Sequence, residues 1–144
     1  MRQSPRAPKS PLLDRSSLYF VIFSGIIKAA AGGGLLVILP LFGYGAAAIR
    51  TVVFIFESLI QIFFVYPSRR IFVMPGFNPT LHLAVGIGAV IQILSIFVPF
   101  LRGLLGLTTL DAQALLIVSG AVFLTWAIAE SYSRVALMMK KTNH

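Results

Sequence analysis

The sequence predicts an all-α integral membrane protein with four transmembrane helices and both termini in the cytoplasm. Three observations carry this. Hydrophobic residues make up 58% of the 144 positions and charged residues only 11%, against about 25% charged in soluble domains; mean hydropathy is +0.92. Apolar runs of about 20 residues, enough to cross a hydrocarbon core of about 30 Å, recur along the chain, at 18–42, 46–66, 80–101 and 112–132. Basic residues alternate with the spans. Arg2, Arg6, Lys9, Arg15, Arg69, Arg70, Arg134, Lys140 and Lys141 fall on one side and only Arg50 and Arg102 on the other, a bias that marks the cytoplasmic face.

The net charge of +8 is thereby topological, with anionic lipid headgroups as its partner and no nucleic acid implied. With no cysteine in the chain, disulfides, thiolate metal clusters and thiol nucleophiles are excluded.

Residues 1–16 read as an extended cytoplasmic segment with Pro5, Pro8 and Pro11 among basic residues, unlike a signal peptide. The first span carries Gly25, Ala29 and Gly33 at four-residue steps, a small-residue stripe that permits close approach of another helix. Pro40, Gly43 and Gly45 close it in a short outer turn. The second span is expected to end at Pro67, which lacks an N–H and restricts the residue before it; residues 67–79 follow as a cytoplasmic loop. His82 near the start of the third span reads as interfacial, and Gln92 near its middle as an interhelical hydrogen-bond donor. Thr108, Thr109 and Asp111 offer N-cap oxygens to the fourth span, which closes with Trp126, Tyr132 and Arg134 as interfacial anchors and Glu130 four residues before Arg134. Residues 17–134 form the membrane domain and 135–144 a basic cytoplasmic tail.

Two ionisable residues lie inside spans. Lys28 is ten residues beyond Leu18 and Glu57 nine before Tyr66, so both are expected roughly 13–15 Å deep. The short turn makes their helices antiparallel, and a buried Lys28–Glu57 ion pair would let each charge offset the other's desolvation. Alternatively Glu57 and Gln61, one helical turn apart on one face, supply oxygens to a transported cation, since hard cations prefer such ligands. The other spans offer too few oxygens to complete such a site, so either the chain is a piece of a larger transporter whose further helices contribute, or it is no cation transporter at all. No metal cluster, phosphate-cradling loop or Ser/His/Asp set accompanies them; Gly32-Gly33-Gly34 lacks the Lys-Ser/Thr of a phosphate loop.

Arg50-Thr51-x-x-Phe54 followed by Gln61-Ile62-Phe63-x-x-Tyr66-x-Ser68-Arg69 resembles the eighth transmembrane helix of P-type cation-transporting ATPases of the calcium- and sodium-pump-like branch. Arg6-x-Pro8-x-x-Pro11-Leu12-Leu13 is similar to the loop before the seventh helix. Asn78-Pro79, Val98-Pro99-Phe100-Leu101 and Leu110 resemble the ninth helix and its outer loop, and Glu130 matches the acid near the end of the tenth.

The resemblance implies the last four helices of a ten-helix pump, a flank that supports the helices bearing most ion ligands. It puts Gln61 where calcium pumps of the family carry an acid or amide that can contribute to an ion site. Phe64 and Pro67 stand where relatives often have Asn. The phosphorylated Asp-Lys-Thr-Gly-Thr loop and the nucleotide-binding and actuator domains are absent from these 144 residues. The chain is thus expected to be uncatalytic alone, meeting ATP and Mg²⁺ only through pump domains outside it, as a truncated pump, a split-gene product or a stand-alone relative. Two other readings compete: a four-helix secondary transporter with Glu57 as a proton-coupled acid, and a non-transporting membrane adaptor docking through Gly25, Ala29 and Gly33.

Overall fold

The computed structural model describes residues 15–72 and 78–142. Six helices follow in order: α1 (Arg15–Leu41), α2 (Ala46–Phe63), α3 (Val65–Phe72), α4 (Pro79–Phe97), α5 (Pro99–Leu104) and α6 (Ala112–Thr142). Among the described residues there is no strand. Four segments are long and apolar enough to cross a membrane: Ser17–Leu41, Ala46–Ile71, Pro79–Phe97 and Ala112–Met139. Only 17–33% of the residues in their most apolar stretches are buried inside the bundle. Leu18, Ile26, Val37, Leu83, Leu116 and Phe123 are among the many large apolar side chains turned outward. That inside-out distribution is what a lipid solvent requires and makes the chain a multi-pass membrane protein.

Two breaks differ from the sequence expectation. The second span does not end at Pro67. α2 stops at Phe63, Phe64 forms a single turn, and α3 runs through Pro67 to Phe72. A proline cannot donate to the carbonyl four residues back, here Phe63, and its ring crowds that carbonyl. The ladder therefore breaks one turn before the proline, and Pro67 sits in the first turn of α3, where its missing N–H costs nothing. The third span breaks at Val98, extended (φ −79°, ψ 115°) as a pre-proline residue should be, with Pro99 opening α5. α6 runs unbroken to Thr142, so Trp126 lies near the middle of its span and not at the interface. The Pro75–Gly76 part of the expected loop, and residues 1–14, lie outside the described residues.

At one end of the bundle, here the hairpin end, both tight turns use one device. Gly43 (φ +82°) and Gly106 (φ +63°) adopt the left-handed conformation, and the bonds Tyr44 N–Leu39 O, Gly43 N–Pro40 O, Leu107 N–Arg102 O and Gly106 N–Gly103 O close two Schellman motifs. Asp111 then caps α6, its Oδ1 accepting from Ala114 N at 2.8 Å, and also accepts from the Tyr44 hydroxyl at 3.0 Å. Asp111→Ala is expected to cost about 0.5–2 kcal/mol through the cap, read as a lowered thermal midpoint in micelles.

Desolvation, then the hydrogen bond and negative charge of Asp111, push the Tyr44 phenol above its ordinary pKa of 10.0. The raised folded value means the Tyr44–Asp111 contribution is full below the ordinary pKa and is lost as pH rises through the folded one. Absorbance titration of the tyrosines should show one ionising late, and earlier in Asp111→Asn.

α2 is the hub. It packs on α1, α4 and α6, α3 packs on α1 and α6, and α1 also meets α6; α4 meets neither α1 nor α6. Val52, Ile55, Phe56 and Ile60 of α2 are at most 1% exposed. The α6 face in this core is Ala114, Val118, Val122, Thr125, Ala129 and Ser133, small or β-branched residues at coiled-coil-like spacing that let the helices approach closely. At the opposite end, the arginine end, Phe23 stacks on Tyr132 with ring centroids 4.4 Å apart, joining the start of α1 to the last part of α6.

Candidate functional site

Glu57 lies on the α2 side that meets α1. A Cβ placed on Gly32 would stand 2.9 Å from Glu57 Oε1 and 3.6 Å from the Phe56 ring, so the missing side chain of Gly32 makes room for the carboxylate. This contact sets the α1–α2 register: Gly32 is level with Glu57, and one turn toward the arginine end Lys28 is level with Gln61, about 6 Å away along the axis. The equal depth expected from residue counts is therefore offset by one turn, because the span through α2 and α3 extends past Tyr66 to Ile71. The Lys28 ammonium rests 4.8 Å from the centre of the Phe64 ring, a cation–π contact. Among the described residues both ion pairs are made by Glu130.

Gln61 is exposed. With Lys28, Ser24 and Ser68 it lines a crevice of about 390 Å³ between α1 and α2–α3, beside the gap left because α1 and α4 do not pack together. Gly25, Ala29 and Gly33 have ample room, since a Cβ on Gly25 or Gly33 would meet nothing within 4 Å and all three residues are exposed. The α6 contact of α1 runs along Ile27, Ala31 and Leu35; the small-residue stripe lies on the other flank, bordering the same gap. The structure thus brings Lys28, Gln61 and the stripe to one open face, with Glu57 at its edge.

Two clamps hold α2–α3 in place, and most of each is invisible in linear sequence. At the hairpin end Arg50 donates to the Gly106 carbonyl. Thr51, fully buried, donates to Ala47 O at 2.9 Å and accepts from Thr108 N at 3.0 Å. Thr108 thereby serves the α2 clamp and Asp111 alone caps α6. Thr51→Val removes the acceptor for that N–H and should cost about 1–3 kcal/mol, measurable as faster amide exchange at Thr108.

At the arginine end Arg70 meets Glu130 Oε1 at 2.7 Å and Arg134 meets the same oxygen at 3.0 Å. The i, i+4 pair with Arg134 was legible; Arg70, sixty positions away, was not. Tyr66 OH lies 3.1 Å from His82 Nδ1 with the rings stacked, which ties α3 to α4 and gives His82 an interhelical partner. Gln92 is 9% exposed and its Nε2 finds no partner among the described residues, so the interhelical hydrogen bond expected of it is not formed there.

Compared with known proteins, residues 1–135 match a family model described as "Cation transporting ATPase, C-terminus". No curated protein and no solved structure gives a significant match.

Proposed function

The chain belongs to the family of C-terminal regions of cation-transporting ATPases, and from that premise we propose that it scaffolds the transport domain, presenting the α1–α2 face to the remaining helices of the pump. The observation that carries this is Gln61. A carboxamide exposed at mid-span would be costly against hydrocarbon, so that face belongs against protein. The Gly25, Ala29 and Gly33 flank beside it allows a helix to approach closely. The two clamps fix α2–α3 against the α5–α6 loop and α6, and α1 packs on both α2 and α3, so the face is preformed.

Gln61, with Glu57 one turn away, is our candidate for oxygens lining the cation path; the remaining ligands would come from the helices that cover the face. A Lys28–Glu57 ion pair remains the competing role for Glu57. On the motifs Arg50-Thr51-x-x-Phe54 and Gln61-Ile62-Phe63 we assign the chain to the calcium- and sodium-pump-like branch. ATP and Mg²⁺ act in domains outside these residues, and the chain by itself hydrolyses no ATP. Both termini face the cytoplasm, as the basic residues of the arginine end favour.

A photoreactive benzophenone side chain separates the exposed positions. At position 61, in native membranes, it should cross-link to pump protein; at position 116, where Leu116 is 74% exposed, to lipid. Lipid adducts from both positions would contradict the scaffold reading. Gln61→Leu should raise the cation concentration for half-maximal ATP hydrolysis while leaving recovery of the chain with the assembled pump unchanged.

A further inference from the structure

The open face carries one basic side chain, Lys28, that scaffolding does not explain. Its crevice, about 390 Å³ between α1 and α2–α3, is lined by Gln61, Ser24, Ser68 and the aromatic walls Phe20 and Phe64. It holds an ammonium, two hydroxyls and a carboxamide, and no acid. The nearest acid by register is Glu57, whose Oε1 is lodged against Gly32 one turn away, and the chain's described ion pairs are both at Glu130. An ammonium inside a membrane domain calls for an anion, and the geometry leaves that place open on the side from which another helix would come.

Resting on the docking reading above, we propose that Lys28 is the socket for a carboxylate carried by another membrane helix of the same ATPase, an Asp or Glu that packs over Gly25, Ala29 and Gly33. Depth selects this anion over a lipid headgroup. Lys28 lies near the middle of the span Ser17–Leu41, whereas headgroup phosphates sit beyond the edge of the hydrocarbon core, about 15 Å from its centre. The small residues beside Lys28 bring the partner backbone close enough for a short acidic side chain to reach the ammonium. The Ser24 hydroxyl already donates to the Val21 carbonyl at 3.0 Å, which leaves the Ser68 hydroxyl and the Gln61 carboxamide of the crevice to donate to the second carboxylate oxygen.

A membrane-permeant carbodiimide tests the contact. It activates a carboxyl buried in the bilayer, and an amine touching that carboxyl attacks the activated carbonyl carbon. An amide forms, and the displaced oxygen leaves with the reagent as its urea. Native membranes carrying the full protein are treated with dicyclohexylcarbodiimide, and peptides containing Lys28 are read by mass spectrometry. The expected product joins Lys28 to an Asp or Glu of a membrane segment outside residues 1–144, on a polypeptide with the ATPase phosphorylation loop. It should fall to background in Lys28→Met and in Lys28→Arg; the second keeps the charge and serves if the first fails to assemble. A Lys28–Glu57 amide would overturn the proposal in favour of an internal pair, and so would an unmodified Lys28 or a lipid adduct. An amide to an acid of a membrane protein without that loop would keep the socket and overturn the ATPase partner.

Discussion

Replacing Arg70 and Arg134 together by methionine is expected to cost about 3–5 kcal/mol, the penalty for stripping a buried acid of its partners. The Glu130 side chain is 8% exposed, and both guanidiniums converge on its Oε1. Its Oε2 is buried with no partner among the described residues, so the carboxylate has no second anchor. The reverse change should be far milder. Arg70 and Arg134 are 35% and 58% exposed at their side chains and can turn to water or lipid phosphates when Glu130→Gln removes the acid. Unfolding followed by circular dichroism in micelles should rank the double arginine variant well below Glu130→Gln. Equal losses would mean that the cluster acts as an ordinary surface pair, worth about 0–1 kcal/mol.

Leucine at Gly25 and Gly33 is expected to leave the isolated bundle's unfolding unchanged and to reduce recovery of the chain with the rest of the ATPase at least tenfold. Within the chain nothing lies within 4 Å of either added Cβ, so any loss must come from outside it. A tenfold change corresponds to about 1.4 kcal/mol, well within the cost of wedging two isobutyl groups between packed helices. Gly32→Leu should do the opposite first, weakening the bundle itself, because its Cβ would stand 2.9 Å from Glu57 Oε1 and near the Phe56 ring. Three glycines within about two and a half helical turns thus give opposite readouts in two assays.

The four spans were legible because lipid imposes length and hydropathy with little ambiguity. Their breaks were less so. Pro67 announced an interruption and the third span was read through Pro99 to residue 101, but the chain breaks at Phe64 and Val98, since a proline disturbs the carbonyl four residues back or the residue before it, according to where it falls in the turn. Small residues at four-residue spacing on α1 signalled a close approach without naming its partner. The close internal contacts of the bundle run instead along Ala114, Val118, Val122, Thr125, Ala129 and Ser133 of α6, which contain no glycine to draw the eye. Glu57 and Gln61 stood out because polar groups inside a span demand an explanation. The lodging of Glu57 against Gly32 and the Arg70–Glu130 contact depend on helix register, which one sequence read span by span does not carry.

As we propose, these helices work as part of a cation-transporting ATPase. Membranes containing the protein, solubilised in mild detergent and purified through a tag at His144, should hydrolyse ATP with stimulation by a transported cation and form an aspartyl-phosphate intermediate. Gly25→Leu/Gly33→Leu should remove that activity from the purified fraction. Purification of a well-folded four-helix protein with neither cation-stimulated hydrolysis nor phosphoenzyme would rule out that role.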